Sequence, residues 1–248
     1  MRRILILGGT TEARRLAERL AGRVDLAVTL SLAGRTAAPA TQPVPVRIGG
    51  FGGAAGLVDY LSAQDIAALI DATHPYAAII SANAARAAAA VRVPLLAVYR
   101  PPWVPVAGDR WTEVVDVQHA VRALEHAPRR VFLALGQKEL GPFAEAPQHY
   151  YLVRSVDPVD PPLPVPHAAY VIGRGPFTEA ADRALLAAHR IEVMVAKNSG
   201  GTATYSKIAA ARTLGIPILM LQRPVFSPAP TVETVEEALD WLDHALAP

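Results

Sequence analysis

The chain has 248 residues, 52% of them hydrophobic and 19% charged, with a formal net charge of +2; such a chain buries a sizeable core and is neither disordered nor a dedicated nucleic-acid binder. It has no cysteine, which excludes disulfides and thiolate metal sites and suits a reducing, cytoplasmic location. Every apolar run is broken by Gly, Pro or charge well short of the ~20 residues that span a bilayer, so no membrane partner is expected.

Met1-Arg2-Arg3 before Ile4-Leu5-Ile6-Leu7 superficially resembles a signal peptide, but the apolar run is too short for one and reads as a first strand. Strands are predicted at Arg3–Leu7, Asp25–Leu30, Pro45–Ile48, Ala67–Asp71 and Pro94–Val98, with helices at Thr11–Ala21, Ala54–Ser62 and Tyr76–Val91 between them. The strands are continuous apolar runs rather than alternating ones, as expected where helices cover both faces of a parallel sheet. Three prolines in Arg100-Pro101-Pro102-Trp103-Val104-Pro105 stop the pattern, and a domain boundary is placed after Pro105. A second series follows, with strands at Arg130–Leu135, Tyr150–Val153, Ala169–Ile172, Glu192–Ala196 and Ile218–Leu221 and helices near Val117–His126, Thr178–His189, Ser206–Leu214 and Thr231–Ala247. The expected fold is therefore α/β, in two domains (residues 1–105 and 106–248), each a Rossmann-like parallel sheet flanked by helices, with an interdomain cleft.

Strand one runs into Gly8-Gly9-Thr10-Thr11-Glu12 at the start of a helix. Glycines, hydroxyls and helix N–H groups in that order form either a pyrophosphate-binding turn or a tight turn capped by Thr10 or Thr11; the full Gly-x-Gly-x-x-Gly pattern is not met. Strand two ends in Ser31-Leu32-Ala33-Gly34-Arg35, a hydroxyl and a guanidinium where an NAD-reading acid would stand, which favours NADPH over NADH unless Arg35 is an ordinary surface arginine. Gly49-Gly50-Phe51-Gly52-Gly53 permits close ligand approach or a flexible lid. Strand four ends in Asp71-Ala72-Thr73-His74-Pro75-Tyr76, where His74 is either an acid–base group or a capping residue and Tyr76 either a site residue or a packing one.

In the second half, Lys197-Asn198-Ser199-Gly200-Gly201-Thr202, running on to Lys207, combines lysines, hydroxyls and a Gly-Gly turn after a strand, an anion-binding nest or a solvated loop. Gly136-Gln137-Lys138 and Gly173-Arg174-Gly175 also follow strands. Only three of the 24 basic residues are lysine; a GC-rich genome explains that bias, and it also suits a ligand carrying carboxylates or phosphates. The seven histidines are scattered without metal-ligand spacing, and no metal is expected.

Taken in order, Gly8-Gly9-Thr10-Thr11-Glu12-Ala13, Ser31-Leu32-Ala33-Gly34-Arg35, Asp71-Ala72-Thr73-His74-Pro75-Tyr76-Ala77, Gly173-Arg174-Gly175-Pro176-Phe177 and Lys197-Asn198-Ser199-Gly200-Gly201 resemble the precorrin-6A reductase family over essentially the whole chain. The resemblance implies NADPH-dependent reduction of one double bond of a tetrapyrrole, precorrin-6A or its cobalt analogue, in cobalamin biosynthesis. Cofactor contacts are then expected from Gly8, Gly9, Thr10, Thr11, Glu12, Ser31, Arg35, Gly50, Thr73 and Lys197 through Gly201. Substrate contacts are expected from Lys138, Arg174, Thr202 and Lys207, with His74 and Tyr76 as candidate proton donors. The expected partner is a small tetrapyrrole, without nucleic acid or membrane, and a monomer is compatible with this. A reductase of another anionic conjugated substrate and a nucleotide-sensing module without chemistry are the competing readings.

Overall fold

The computed structural model describes residues 1–34, 41–224 and 229–247. The chain divides into two compact units, Met1–Pro101 together with Pro224–Pro248, and Pro102–Arg223. Among the described residues no helix is long and apolar enough to cross a membrane.

In the first unit β1 (Arg2–Leu7) is followed by α1 (Thr11–Leu20), β2 (Leu26–Leu32), β3 (Val46–Ile48), α2 (Gly53–Ala63), β4 (Ile66–Asp71), α3 (Ala78–Val91) and β5 (Leu95–Val98). The apolar run of β1 hides a period of two. Ile4 and Ile6 pack with Leu16, Ala17 and Leu20 of α1, whereas Leu5 and Leu7 pack with Leu57 and Leu61 of α2 and Ala84, Ala87 and Ala88 of α3. Helices thus cover both faces of the sheet, which is why β1 carries no polar face.

The second unit runs β6 (Trp111–Val114), α4 (Val117–Ala123), β7 (Arg130–Ala134), two 3-10 turns (Gln137–Glu139 and Gly141–Glu145), β8 (Tyr150–Ser155), β9 (Ala168–Ile172), α5 (Glu179–Ala188), β10 (Val193–Lys197), α6 (Ser206–Leu214) and β11 (Ile218–Leu221). Phe132, Leu152, Met194, Ala196 and Met220 of this sheet pack against Leu186 of α5 and Ile208 and Ala211 of α6. The chain then returns to the first unit as β12 (Thr231–Val232) and α7 (Val235–Ala245).

Among the described residues all strand pairings are parallel, in the orders β12-β5-β4-β1-β2-β3 and β6-β11-β10-β7-β8-β9. Counted from β1 in one sheet and β7 in the other, both have the 3-2-1-4-5-6 order of doubly wound dinucleotide-binding sheets. The sixth positions are exchanged. β6 follows the fifth strand of the first sheet yet pairs with β11, and β12 follows the fifth strand of the second yet pairs with β5.

Two expectations change here. The division falls after Pro101 rather than Pro105, because Trp103 is hydrogen-bonded to Asn198 of the second unit through its backbone N–H (2.7 Å) and carbonyl (2.9 Å). The C-terminal segment, expected in the second domain, completes the first sheet. Thr231–Ala247 is not one helix, because Thr234 caps α7 in a reciprocal box: its hydroxyl accepts from Glu237 N–H (3.2 Å) and its own N–H donates to the Glu237 carboxylate (3.0 Å). Thr231 and Val232, left outside the helix and β-branched, join the sheet.

Val235, Ala238 and Leu242 of α7 lie in the same cluster as Ile4, Ile6 and α1, and Leu242 is fully buried. Leu242→Ala is expected to lower the unfolding free energy by about 2–5 kcal/mol, measured by urea denaturation; a loss below about 0.5 kcal/mol, typical of surface positions, would show that the returning helix is not part of that core.

Candidate functional site

The first sheet changes direction between β1 and β4. The helix after β1 packs on one face and the helix after β4 on the other, so the loops leaving these strands part at the carboxyl edge, the usual ligand position of an open α/β sheet. The turn after β1 is built from two glycines with different tasks. A Cβ on Gly8 would meet Leu30 Cδ1 at 2.5 Å and Ala13 Cβ at 3.3 Å, so Gly8 permits close packing of strand and helix. Gly9 has φ +114°, and a Cβ there would meet nothing within 4 Å, so it supplies the backbone reversal and leaves open space above the turn.

Thr10 is the N-cap of α1, its hydroxyl accepting from Ala13 N–H (3.1 Å) and donating to the Ala72 carbonyl (2.7 Å). This hydroxyl therefore ties the β1 turn to the end of β4, as the capped-turn reading of Thr10 expects, and both of its bonds are made inside the protein. Thr11 is exposed at the first helical position. Glu12 is paired with Arg100 at 2.5 Å, both largely shielded from water. An anion at this helix N-terminus would otherwise face a bare carboxylate; the guanidinium offsets it.

At the end of β4, Asp71 is buried and its Oδ1 accepts from the N–H (3.0 Å) and hydroxyl (2.6 Å) of Thr73. Thr73 is thus held by Asp71. His74 Nδ1 accepts from Tyr76 N–H (3.2 Å), which places the proton of the neutral ring on Nε2. The two rings lie 5.7 Å apart.

At the end of β2, Ser31 is buried and pairs in register with Arg47 of β3. Arg35 lies outside the described residues. Arg47, which no sequence motif singles out, donates to the Gly49 (2.6 Å) and Gly50 (2.7 Å) carbonyls, reaches Ser31 Oγ at 3.4 Å and stacks 3.8 Å from the Phe51 ring centroid. Gly50 therefore acts through its carbonyl, which fixes a guanidinium beside Ser31.

The second sheet presents its own carboxyl edge. Lys138 and Arg174 are exposed in the loops after β7 and β9. Lys197 ends β10, with its ammonium 2.5 Å from the Glu139 carboxylate. The Asn198 amide is spent on the Trp103 backbone, and Ser199 N–H donates to the Lys197 carbonyl (2.8 Å). Gly200 and Gly201 both have φ +66°, and the Trp103 indole N–H donates to the Gly201 carbonyl (2.7 Å). Thr202 is exposed next to them.

Lys207 is a correction. Rather than reaching a ligand it is 4% exposed, donates to the Thr204 carbonyl (2.8 Å) and lies 4.8 Å over the Trp103 ring, so it braces the loop from beneath. Burial, with Arg154 adding to it and Asp182 opposing, pulls its pKa down to about 7. Asp182 is itself paired with Arg154 and accepts from Ser206 Oγ (2.7 Å).

Two parallel sheets of this order, the first with a glycine turn and capped helix at its point of reversal, define a doubly wound α/β protein of Rossmann type. Residues 3–243 match the family described as Precorrin-6x reductase CbiJ/CobK, and the chain belongs to that family. It is 57% identical to a precorrin-6A reductase of Sinorhizobium sp. over 99% of this chain and 94% of that protein. It is 53% identical to that of Rhodobacter capsulatus over 100% and 99%, and 31% identical to a cobalt-precorrin-6A reductase of Priestia megaterium over 98% and 97%. A solved structure of CobK precorrin-6A reductase superposes with a TM-score of 0.94 at 51% identity, covering 100% of this chain and 98% of that one. A Rossmann-type fold in a reductase family is the usual setting of a nicotinamide cofactor.

Thr10→Val removes both partners of one hydroxyl and is expected to destabilise by about 1–2 kcal/mol, with Thr10→Ser near wild type; equal denaturation midpoints for the Val and Ser variants would refute the shared bond. For Lys207 the folded state prefers the neutral amine. Stability should therefore rise with pH from about 7 towards the ordinary lysine value of 10.5 and be flat in this contribution below 7. The difference in unfolding free energy between wild type and Lys207→Met, followed from pH 6 to about 10, should show that rise; a pH-independent difference would count against a desolvated ammonium.

Proposed function

We propose that the chain reduces one double bond of precorrin-6A with NADPH to give precorrin-6B, a step of cobalamin biosynthesis. The observation that carries the cofactor choice is the end of β2, where buried Ser31 stands beside the stacked guanidinium of Arg47 and, among the described residues of that strand end, no carboxylate stands ready to read a free 2′-hydroxyl. Among the described residues, three of the five N–H donors of Arg47 go to Ser31, Gly49 and Gly50, and a guanidinium so placed suits a 2′-phosphate. The metal-free substrate is favoured because identity to the precorrin-6A reductases far exceeds identity to the cobalt-precorrin relative.

NADPH, when bound, supplies the hydride. The residues of the first edge fit such a cofactor: a Cβ at Gly9 would meet nothing within 4 Å, the turn runs into the N-terminus of α1, which suits a pyrophosphate, and Glu12 there is already neutralised by Arg100. Thr10 fixes the spacing between that turn and the Asp71–Thr73–His74 loop. His74, with its proton on Nε2, serves as a hydrogen-bond donor there, and Tyr76 orients it. Lys138, Arg174 and Thr202 hold the acetate and propionate groups of the macrocycle at the second edge. Positioning supplies most of the rate, because an electron-poor conjugated ring accepts hydride readily and its proton can come from water.

Anaerobic mixing with precorrin-6A, followed at the absorbance of the reduced nicotinamide, should show oxidation of NADPH in preference to NADH. Arg47→Ala should weaken NADPH relative to NADH by about tenfold or more, the size of a lost hydrogen bond to a charged group. Consumption only with the cobalt analogue would move the substrate, and NADPH binding without consumption of either would leave a nucleotide-sensing module as the better reading.

A further inference from the structure

The second sheet also reverses direction, between β7 and β10, and the same rule that places a ligand at the first reversal places one here. What stands at this point is an ion pair of the protein's own. Glu139, in the 3-10 turn after β7, bonds to Lys197, the last residue of β10, across the reversal. Its other oxygen lies over Gly136, where a Cβ would meet Glu139 Oε2 at 2.5 Å. The contrast with the first unit is direct: the space above Gly9 is open, while that above Gly136 is filled by a carboxylate.

We propose that this point is an anion-binding site in which Glu139 is the resident anion, and that a carboxylate or phosphate of an incoming ligand displaces it from Lys197. The pair is suited to exchange. Lys197 and Glu139 side chains retain 15% and 29% exposure, so opening the pair does not strand a charge in an apolar interior. By contrast Arg154–Asp182, at 8% and 4%, is enclosed and further held by Ser206, which marks it as structural. An external anion must compete with a tethered carboxylate of high effective concentration, so Glu139 weakens binding of every anion that lacks a second point of attachment. A ligand with several carboxylates, or a cofactor anchored elsewhere, overcomes this, and the pair thereby acts as a filter for multivalent anions.

The proposal draws its ligand from the function proposed above, but its test does not need turnover. Equilibrium binding of uroporphyrin, an inert tetrapyrrole with eight carboxylates, and separately of NADPH, is followed by tryptophan fluorescence in wild type, Glu139→Gln and Lys197→Met. Glu139→Gln should tighten one of the two ligands by about two- to fivefold, the scale of a partly exposed ion pair that no longer has to open, and Lys197→Met should weaken the same ligand. An effect on uroporphyrin assigns the site to substrate carboxylates, and an effect on NADPH assigns it to a cofactor phosphate. If both variants weaken binding alike, or neither changes it while thermal stability falls in both, the pair is a structural link and the proposal fails. Failure of the turnover assay with tightened uroporphyrin binding would overturn the reaction and leave this site standing.

Discussion

Parallel pairing throughout both sheets is the constraint from which the rest follows. A parallel neighbour can be reached only through a crossover, so the chain comes back over the sheet after each strand and every strand ends at the same edge. The first sheet accordingly gathers Gly9, Ser31, Gly50 and Thr73 at one rim although they are far apart in sequence. The first rim is then fixed by side chains that bond sideways from one strand end to the next, Thr10 to Ala72 and Arg47 to Ser31. Strand order supplies the placement, and these lateral bonds supply the spacing.

Much of this is legible in the sequence where one residue type has one physical use. Ile4 to Leu7, a short apolar run ended by Gly8-Gly9, reads as a strand covered on both faces, and the two glycines read as the turn that follows it. The ends of β2 and β4 are recognisable because polar groups there interrupt apolar runs. What is not legible depends on partners distant in sequence. β6 escapes detection because Trp111-Thr112-Glu113-Val114 is half exposed and its pairing is with β11, about a hundred residues further along the chain. The C-terminal return escapes it because nothing in Thr231-Val232 states which sheet edge it joins.

The site residues divide in the same way. Their location at strand ends follows from local pattern, but their tasks do not. Thr10, Asn198 and Lys207 look like ligand groups when read alone, because hydroxyls, amides and ammonium groups after a strand suit anions. Each is consumed by a backbone group: the Ala72 carbonyl, Trp103, the Thr204 carbonyl. Arg47 and Glu139 show the reverse, ordinary charged residues whose importance comes from register and from what the glycine beside them leaves open. A polar residue in a loop is thus ambiguous between building the site and serving it, and only the partners of its hydrogen bonds decide.

The exchange of sixth strands bears on how the protein is made. During synthesis the first five strands of unit one emerge early, yet the edge of β5 and the face that α7 covers stay exposed until residue 245 has left the ribosome. The second unit, whose sixth strand precedes its other five, has every piece in hand well before that. Order of birth and order of completion are therefore inverted, and the half of the molecule translated first is the one whose apolar edge is covered last.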